Sequence, residues 1–375
     1  MAKKTKDKKT KSLNSIMKKY SQVSLASDMY KEVGEMPWLP SRSMVMNWVM
    51  GGGIPFGKVL ELFGQESSGK SLVAMDFLVV CQKLGGWGMW VDAESSYSKE
   101  WWTANGIDLD KVLVFHENAI ETISDWCIET ARALRAKLTH NEPILFVLDS
   151  IAALDTIERL TMEQTDEKAE MGVRARAIGN FLRKRSKELS DLGITCIFIN
   201  QLRKKLGVMF EEPETTPGGE SMKFFAHIRM GFYRKKQIKE KVNGKETWVG
   251  NIVSLRMKKN KVAPPRPAMD TEVYFLKDYC QPGFSRYAGL AEALESSGAI
   301  KREKGSSIYY DKEGNKIARG EDALNSLLEE NKEIRSKLLK LAGINTFSNT
   351  KKVLEGLNEK GINLFKTTDD EEDDE

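Results

Sequence analysis

"KVLELFGQESSGKSLVAMDFL", residues 58–78, decides the fold. Val59, Leu60, Leu62 and Phe63 form an apolar run of strand length that ends at Gly64. Gly64-x-x-x-x-Gly69-Lys70-Ser71 follows, and then an apolar pattern with helical spacing. Glycines let the backbone of Gly64, Gln65, Glu66, Ser67, Ser68 and Gly69 turn its N–H groups around a phosphate chain. The helix N-terminus adds its partial positive charge. Lys70 supplies a cation for β- and γ-phosphates, and the Ser71 hydroxyl can ligate Mg²⁺. A strand, a glycine loop and a helix in that order specify a nucleoside triphosphate site.

Working outward, strands are expected at 58–63, 88–92, 112–115, 144–149 and 194–199, with helices at 70–84, 119–138 and 172–191. This alternation predicts an α/β fold, a mainly parallel sheet flanked by helices. Strand "PILFVLDS" (143–150) ends in Asp149, placed to hold Mg²⁺ through water. Strand "GMWVDAES" (88–95) ends in Asp92 and Glu94, either of which could orient and deprotonate an attacking water. Spacing alone does not choose between them. Residues 222–234 and 249–278 read as further strands. Four parts follow: a basic arm at 1–37, a core at 38–288, a small α+β lobe at 289–345, and a linker with one weak helix and an acidic tail at 346–375. The lobe reads as helix 289–297, a hairpin around "YYDKEGNKIA" and a charged helix 320–342. Within the arm, Leu13, Ile16, Met17 and Tyr20 have helical spacing, as of a helix that docks on another subunit.

Composition narrows the class. The 375 residues are 41% hydrophobic, enough for a sizeable core. No apolar run of about 18 residues predicts a membrane span, and the N-terminal lysines lack the apolar stretch of a secretory signal. The four scattered cysteines and three histidines form no metal, disulfide or Ser/His/Asp pattern, so a reducing cytoplasm is the expected location. Net charge is +4, but the last seven residues, "DDEEDDE", are all acidic, so the rest carries +11. Such a surplus suits a polyanionic partner.

"FINQLRKKLGVMFEEPETTPGGE" (198–220) places cations, then apolar residues, in an irregular stretch after a strand. With "ELFGQESSGKS", "VDAES", "LDSIAAL" and "KKNKVAPP", in this order, it resembles the bacterial RecA recombinase family, over about residues 12–345. The resemblance implies a RecA-type ATPase core using ATP and Mg²⁺. It also implies a helical homo-filament on single-stranded DNA that pairs and exchanges strands with double-stranded DNA. Loader or single-strand-binding proteins are candidate partners, and no membrane is involved.

Carried onto this sequence, the resemblance makes Glu94 the water-activating carboxylate and Gln201 the γ-phosphate sensor, with Lys70 completing the catalytic set. Ser71 and Asp149 serve the metal. Trp101 stands where relatives stack an aromatic, usually tyrosine, on adenine. Lys259 and Lys261 reach the ATP of the adjacent subunit, and Phe224, with Ile16 and Tyr20, packs at that boundary. Arg203, Lys205, Leu206, Gly207, Val208, Met209, Gly218 and Gly219 line the DNA, as do Met171, Gly172, Arg174, Arg176 and Arg183. Lys301, Arg302, Lys304 and Lys316 are duplex-facing candidates in the lobe. Two departures mark a divergent member, such as a phage genome would encode: the acidic segment "ERLTMEQTDEKAE" (158–170), and Glu220 after the glycine pair. A ring-forming motor would need a folded N-terminal domain. A mediator that binds ATP without turnover would not need Lys70, Ser71, Glu94 and Asp149 together.

Overall fold

The computed structural model describes residues 15, 17–20, 36–138, 141–161, 167–204, 214–217, 219–362 and 364–365, with backbone alone at 161, 167–172, 174, 203–204, 214–215 and 219–220. A short ribbon pairs β1 (Trp38–Leu39) with β2 (Ile54–Pro55). The large sheet is built from β3 (Val59–Gly64), β4 (Trp87–Asp92), β5 (Val112–Phe115), β6 (Ile144–Asp149) and β7 (Ile194–Gln201). Another ribbon pairs β8 (Arg203–Lys204) with β9 (Glu214–Thr215). The large sheet then gains β10 (Ile228–Val242), β11 (Lys245–Asn260), β12 (Met269–Tyr274) and β13 (Gly283–Phe284). Its order is β13-β12-β11-β10-β3-β7-β6-β4-β5. The pairings from β10 to β5 are parallel, and those from β10 to β13 are antiparallel.

Both faces of the central parallel strands β3, β4, β6 and β7 are covered, which is why they read as unbroken apolar runs. Along β6, Leu145 and Val147 pack with helix Lys70–Lys83, while Ile144, Phe146 and Leu148 pack with helices Ile120–Lys137 and Glu167–Asp191. The α/β class with its mainly parallel sheet is therefore what the chain forms.

Three local expectations change. Residues 219–225 form a helix before β10, so the strand expected from 222 begins at Ile228. The span 249–278 contains the end of β11, an irregular stretch with three prolines, and β12. Helix 320–342 is two helices, Glu321–Glu330 and Lys332–Leu341. Asn331 divides them, because its side chain accepts from the N–H groups of Glu333 and Ile334 and so caps the second.

The small C-terminal sheet joins β14 (Lys301–Arg302), β15 (Ile308–Tyr310) and β16 (Lys316–Arg319). Leu290, Leu294, Leu324, Leu328 and Leu338 of this region belong to the same apolar cluster as helix Lys70–Lys83. Where a linker with one weak helix was expected after 345, a 13-residue helix, Phe347–Glu359, packs back on the body. The Thr350 hydroxyl donates to the Trp38 carbonyl at 2.7 Å, and Asn141 binds Ile362 O and Leu364 N, each at 2.7 Å. Phe365 is buried against Phe56 (centroids 6.4 Å) and under the Arg135 guanidinium (4.8 Å). The acidic tail lies outside the described residues, as do most of the arm and Ile16; within the arm, Met17–Lys19 are helical and Tyr20 is exposed.

Candidate nucleotide and nucleic-acid site

The parallel strands β3, β4, β6 and β7 end on one edge of the sheet, and the site residues stand on those ends. Gly64 closes β3 where a Cβ would lie 2.4 Å from the Phe232 carbonyl, so only glycine fits. Ser67 (φ 55°) and Gly69 (φ 93°) adopt left-handed backbone that turns successive N–H groups inward. The Ser68 hydroxyl is buried with no hydrogen-bond partner. Lys70 is buried, and its ammonium donates to the carbonyls of Gly64 (3.2 Å) and Gln65 (2.7 Å). Burial lowers its pKa, opposed by Asp149, Glu94 and Glu66.

Asp92 and Asp149 are cross-strand partners at the ends of β4 and β6. Burial raises the Asp149 carboxyl to about 6; the Ser71 hydroxyl and Lys70 pull it down, while Glu94 and Asp92 push it up. Asp92 is buried and committed to structure: it accepts from Ser96 N, Ser96 Oγ and Tyr97 N, at 2.8–3.0 Å. Glu94 is exposed, and its Oε1 accepts from Ser150 Oγ at 2.6 Å. Of the two strand-end acids, only Glu94 has a carboxylate free to face a substrate. Ser150 was not singled out from the sequence. Its signal is a hydroxyl directly after a strand-end aspartate, joined to it here by a cis peptide.

Trp101 sits half-buried on helix Lys99–Ala104, whose N-cap Ser98 accepts from the Trp101 N–H. Gln201 ends β7, and the next residue, Leu202, donates to Gly64 O at 3.0 Å, which joins that strand end to the glycine loop after β3. Lys259 lies elsewhere. It pairs with Arg229, which pairs with Glu61, three residues before Gly64. Its ammonium donates to the carbonyls of Lys223 (2.5 Å) and Phe224 (2.8 Å), away from the phosphate loop. Lys261 lies 5.4 Å from the Phe224 ring, which is 70% exposed. Burial, then Lys58, Lys261 and Lys259, lower the nearby His227 to about 4. Phe224 thus stands exposed beside a cluster of cations, Lys58, Lys259 and Lys261.

The nucleic-acid candidates are partly placed. Arg176 and Arg183 are exposed, seven residues apart and so on one face of helix Glu167–Asp191. Met171, Gly172 and Arg174 lie on its first turns, described in backbone only. Arg203 pairs with Thr215 across the ribbon that closes the base of the loop, and Gly219 begins helix Gly219–Phe225. Lys205, Leu206, Gly207, Val208, Met209 and Gly218 lie outside the described residues.

The family model of the RecA N-terminal domain matches residues 8–280. The chain belongs to the RecA family. Protein RecA of Picosynechococcus sp. is 34% identical over 300 residues, 79% of each chain. That of Nostoc punctiforme is 33% identical over 303 residues, covering 81% of this chain and 79% of the relative. That of Mycobacterium avium is 35% identical over 307 residues, 80% and 81%. As a RecA-family member the chain is a recombinase of DNA recombination and repair, an ATP-dependent, DNA-dependent ATPase that binds DNA and assembles with copies of itself. Among the described residues, no helix is long and apolar enough to cross a membrane.

Proposed function

We propose that the protein polymerises on single-stranded DNA in the cytoplasm and exchanges that strand into a homologous duplex, with ATP held between subunits. One observation carries this reading: phosphate loop, Glu94, Asp149 and the Gln201 strand converge on one edge of the sheet, whereas Lys259 is engaged at another. A second copy would have to bring that lysine to the nucleotide.

The residues fit ATP and Mg²⁺. The left-handed turns at Ser67 and Gly69 and the orphaned Ser68 hydroxyl offer donors to a phosphate chain. Ser71 and Asp149 offer the hard oxygen donors that Mg²⁺ prefers. When bound, the metal neutralises charge that builds on the phosphate oxygens. Lys70 leaves its loop carbonyls to pair with the β- and γ-phosphates. Glu94, oriented by Ser150, takes a proton from the attacking water. Trp101 offers its flat face to the base. Gln201 reads the γ-phosphate and passes its state to the loop that follows.

In that loop Arg203 and Lys205 hold phosphates, and Leu206, Val208 and Met209 wedge between stretched bases. The arm, with Ile16 and Tyr20, and Phe224 join subunits. The lobe at 289–345 steers duplex DNA through Lys301, Lys304 and Lys316, all exposed. Arg302 is already paired with Glu295 through two hydrogen bonds, which weakens its case. Loader and single-strand-binding proteins complete the setting.

The test is D-loop formation from a labelled single strand and a homologous supercoiled duplex. Homology-dependent product with ATP and with a slowly hydrolysed analogue is expected. Vigorous strand-stimulated hydrolysis without product would favour a motor instead.

A further inference from the structure

We propose that Asn200 is a positioning residue that fastens both ends of the DNA loop to the strand leading into the phosphate loop. This rests on the DNA role proposed above for that loop. Asn200 is fully buried on β7, and all the hydrogen-bonding capacity of its amide N–H groups is used. Nδ2 donates to Glu61 Oε1 at 2.9 Å and to the Pro217 carbonyl at 2.8 Å. Oδ1 accepts from the Gln201 N–H at 3.0 Å. One side chain therefore touches β3, the point where the loop leaves the sheet, and the point where it returns.

Glu61 is itself fully buried and paired with Arg229, whose guanidinium lies 5.1 Å over the Phe63 ring. A carboxylate held by a guanidinium is a strong, fixed acceptor. It sets the orientation of the Asn200 amide, so that the second N–H points at Pro217. Arg229 is also the cross-strand partner of Lys259. The strut thus runs from the lysine at the proposed subunit boundary to the loop exit. Only an amide can donate twice and accept once here: a carboxylate donates nothing, and a hydroxyl donates once.

The experiment uses the full chain, a fluorescent oligothymidylate and a slowly hydrolysed ATP analogue. Strand affinity, nucleotide affinity and thermal midpoint are read for Asn200→Ala, Asn200→Asp and the double variant Glu61→Gln/Asn200→Asp. Asn200→Ala should weaken strand binding about 10-fold, the scale of one buried hydrogen bond. Its nucleotide affinity should fall by less than its strand affinity, because its two donated bonds run to Glu61 and Pro217 and not to the phosphate loop itself. Asn200→Asp should lower the midpoint, because two buried carboxylates face each other. In the double variant the new glutamine can donate to the new aspartate, so the midpoint should recover. Strand binding should not, because nothing donates to Pro217. Recovery of strand binding together with the midpoint would overturn the proposal, as would unchanged binding by Asn200→Ala. If the unsubstituted protein bound no strand in the presence of nucleotide, the DNA reading of the loop would fall and this role with it.

Discussion

Asp149→Asn is expected to stabilise the protein in the absence of nucleotide and magnesium while abolishing its magnesium-dependent ATPase. Burial holds the Asp149 carboxyl at about 6, against 3.8 for a free aspartate. Its folded pKa lies above its unfolded one, so the fold penalises the ionised form. The penalty is absent below about pH 4, grows as pH rises through 6, and is constant above. At about 1.36 kcal/mol per pKa unit, it reaches about 3 kcal/mol at pH 7.5. Asparagine escapes that penalty but weakens the Ser71 hydrogen bond, a loss of about 1 kcal/mol. The net gain at pH 7.5 is therefore about 2 kcal/mol; it should fall to zero near pH 4.5 and turn into a loss approaching about 1 kcal/mol at lower pH. Urea unfolding of both proteins from pH 4 to 8, in chelator, measures this. Adding magnesium and ATP should reverse the order, because only the parent gains binding free energy. A variant less stable than the parent by the same amount at pH 4.5 and 7.5 would refute the reasoning. Asp149 would then be an anchor for Ser71 rather than a carboxylate kept under strain for a cation.

Other outcomes follow from the same geometry. Glu94→Gln should keep ATP and strand binding but lower kcat about 10²- to 10⁴-fold, the usual worth of a general base, as phosphate release would show. Lys70→Ala and Lys259→Ala proteins should each lack strand-stimulated ATPase. Mixed one to one, they should recover about a quarter of the parental rate, since a head-to-tail interface can combine the two intact halves; no recovery would place both lysines in one protomer's site. Phe365→Ala should cost up to about 3 kcal/mol in urea unfolding, the low end for a buried phenylalanine, because the segment that carries it is peripheral. A cost near zero would mean that the C-terminal strap does not hold the body.

The central parallel strands were legible because β3, β4, β6 and β7 are buried on both faces, so burial wrote apolar runs into the sequence. The phosphate loop was legible because its glycines answer to sterics, as at Gly64 against the Phe232 carbonyl. The choice of Glu94 over Asp92 was not open to spacing. The resemblance made that choice; the structure adds that Asp92 spends its lone pairs on Ser96 and Tyr97, a turn no periodicity announces. Helix 219–225 was misread as strand because "SMKFFAHIRM" is apolar in a way that suits either, and tertiary context decided. The break at Asn331 was missed because capping competes with helix continuation inside an otherwise charged, helical run.

The strap after residue 345 shows why polar sequence misleads. Its attachment combines a few buried apolar groups with scattered polar bonds: the Thr350 hydroxyl donates to the Trp38 carbonyl, the Asn141 side-chain N–H donates to Ile362 O, and Asn141 Oδ1 accepts from the Leu364 N–H. Asn141 and Gly193 precede β6 and β7, so Phe365 closes over the end of the sheet opposite the phosphate loop. The nucleotide and loop chemistry occupies one end of the strands, and the strap seals the other. The bonds of Thr350 and Asn141 leave no periodic trace in the sequence, although Leu354 and Leu357 mark the buried face of the helix. The same holds for Asn200, whose importance lies in three hydrogen bonds to residues far apart in sequence.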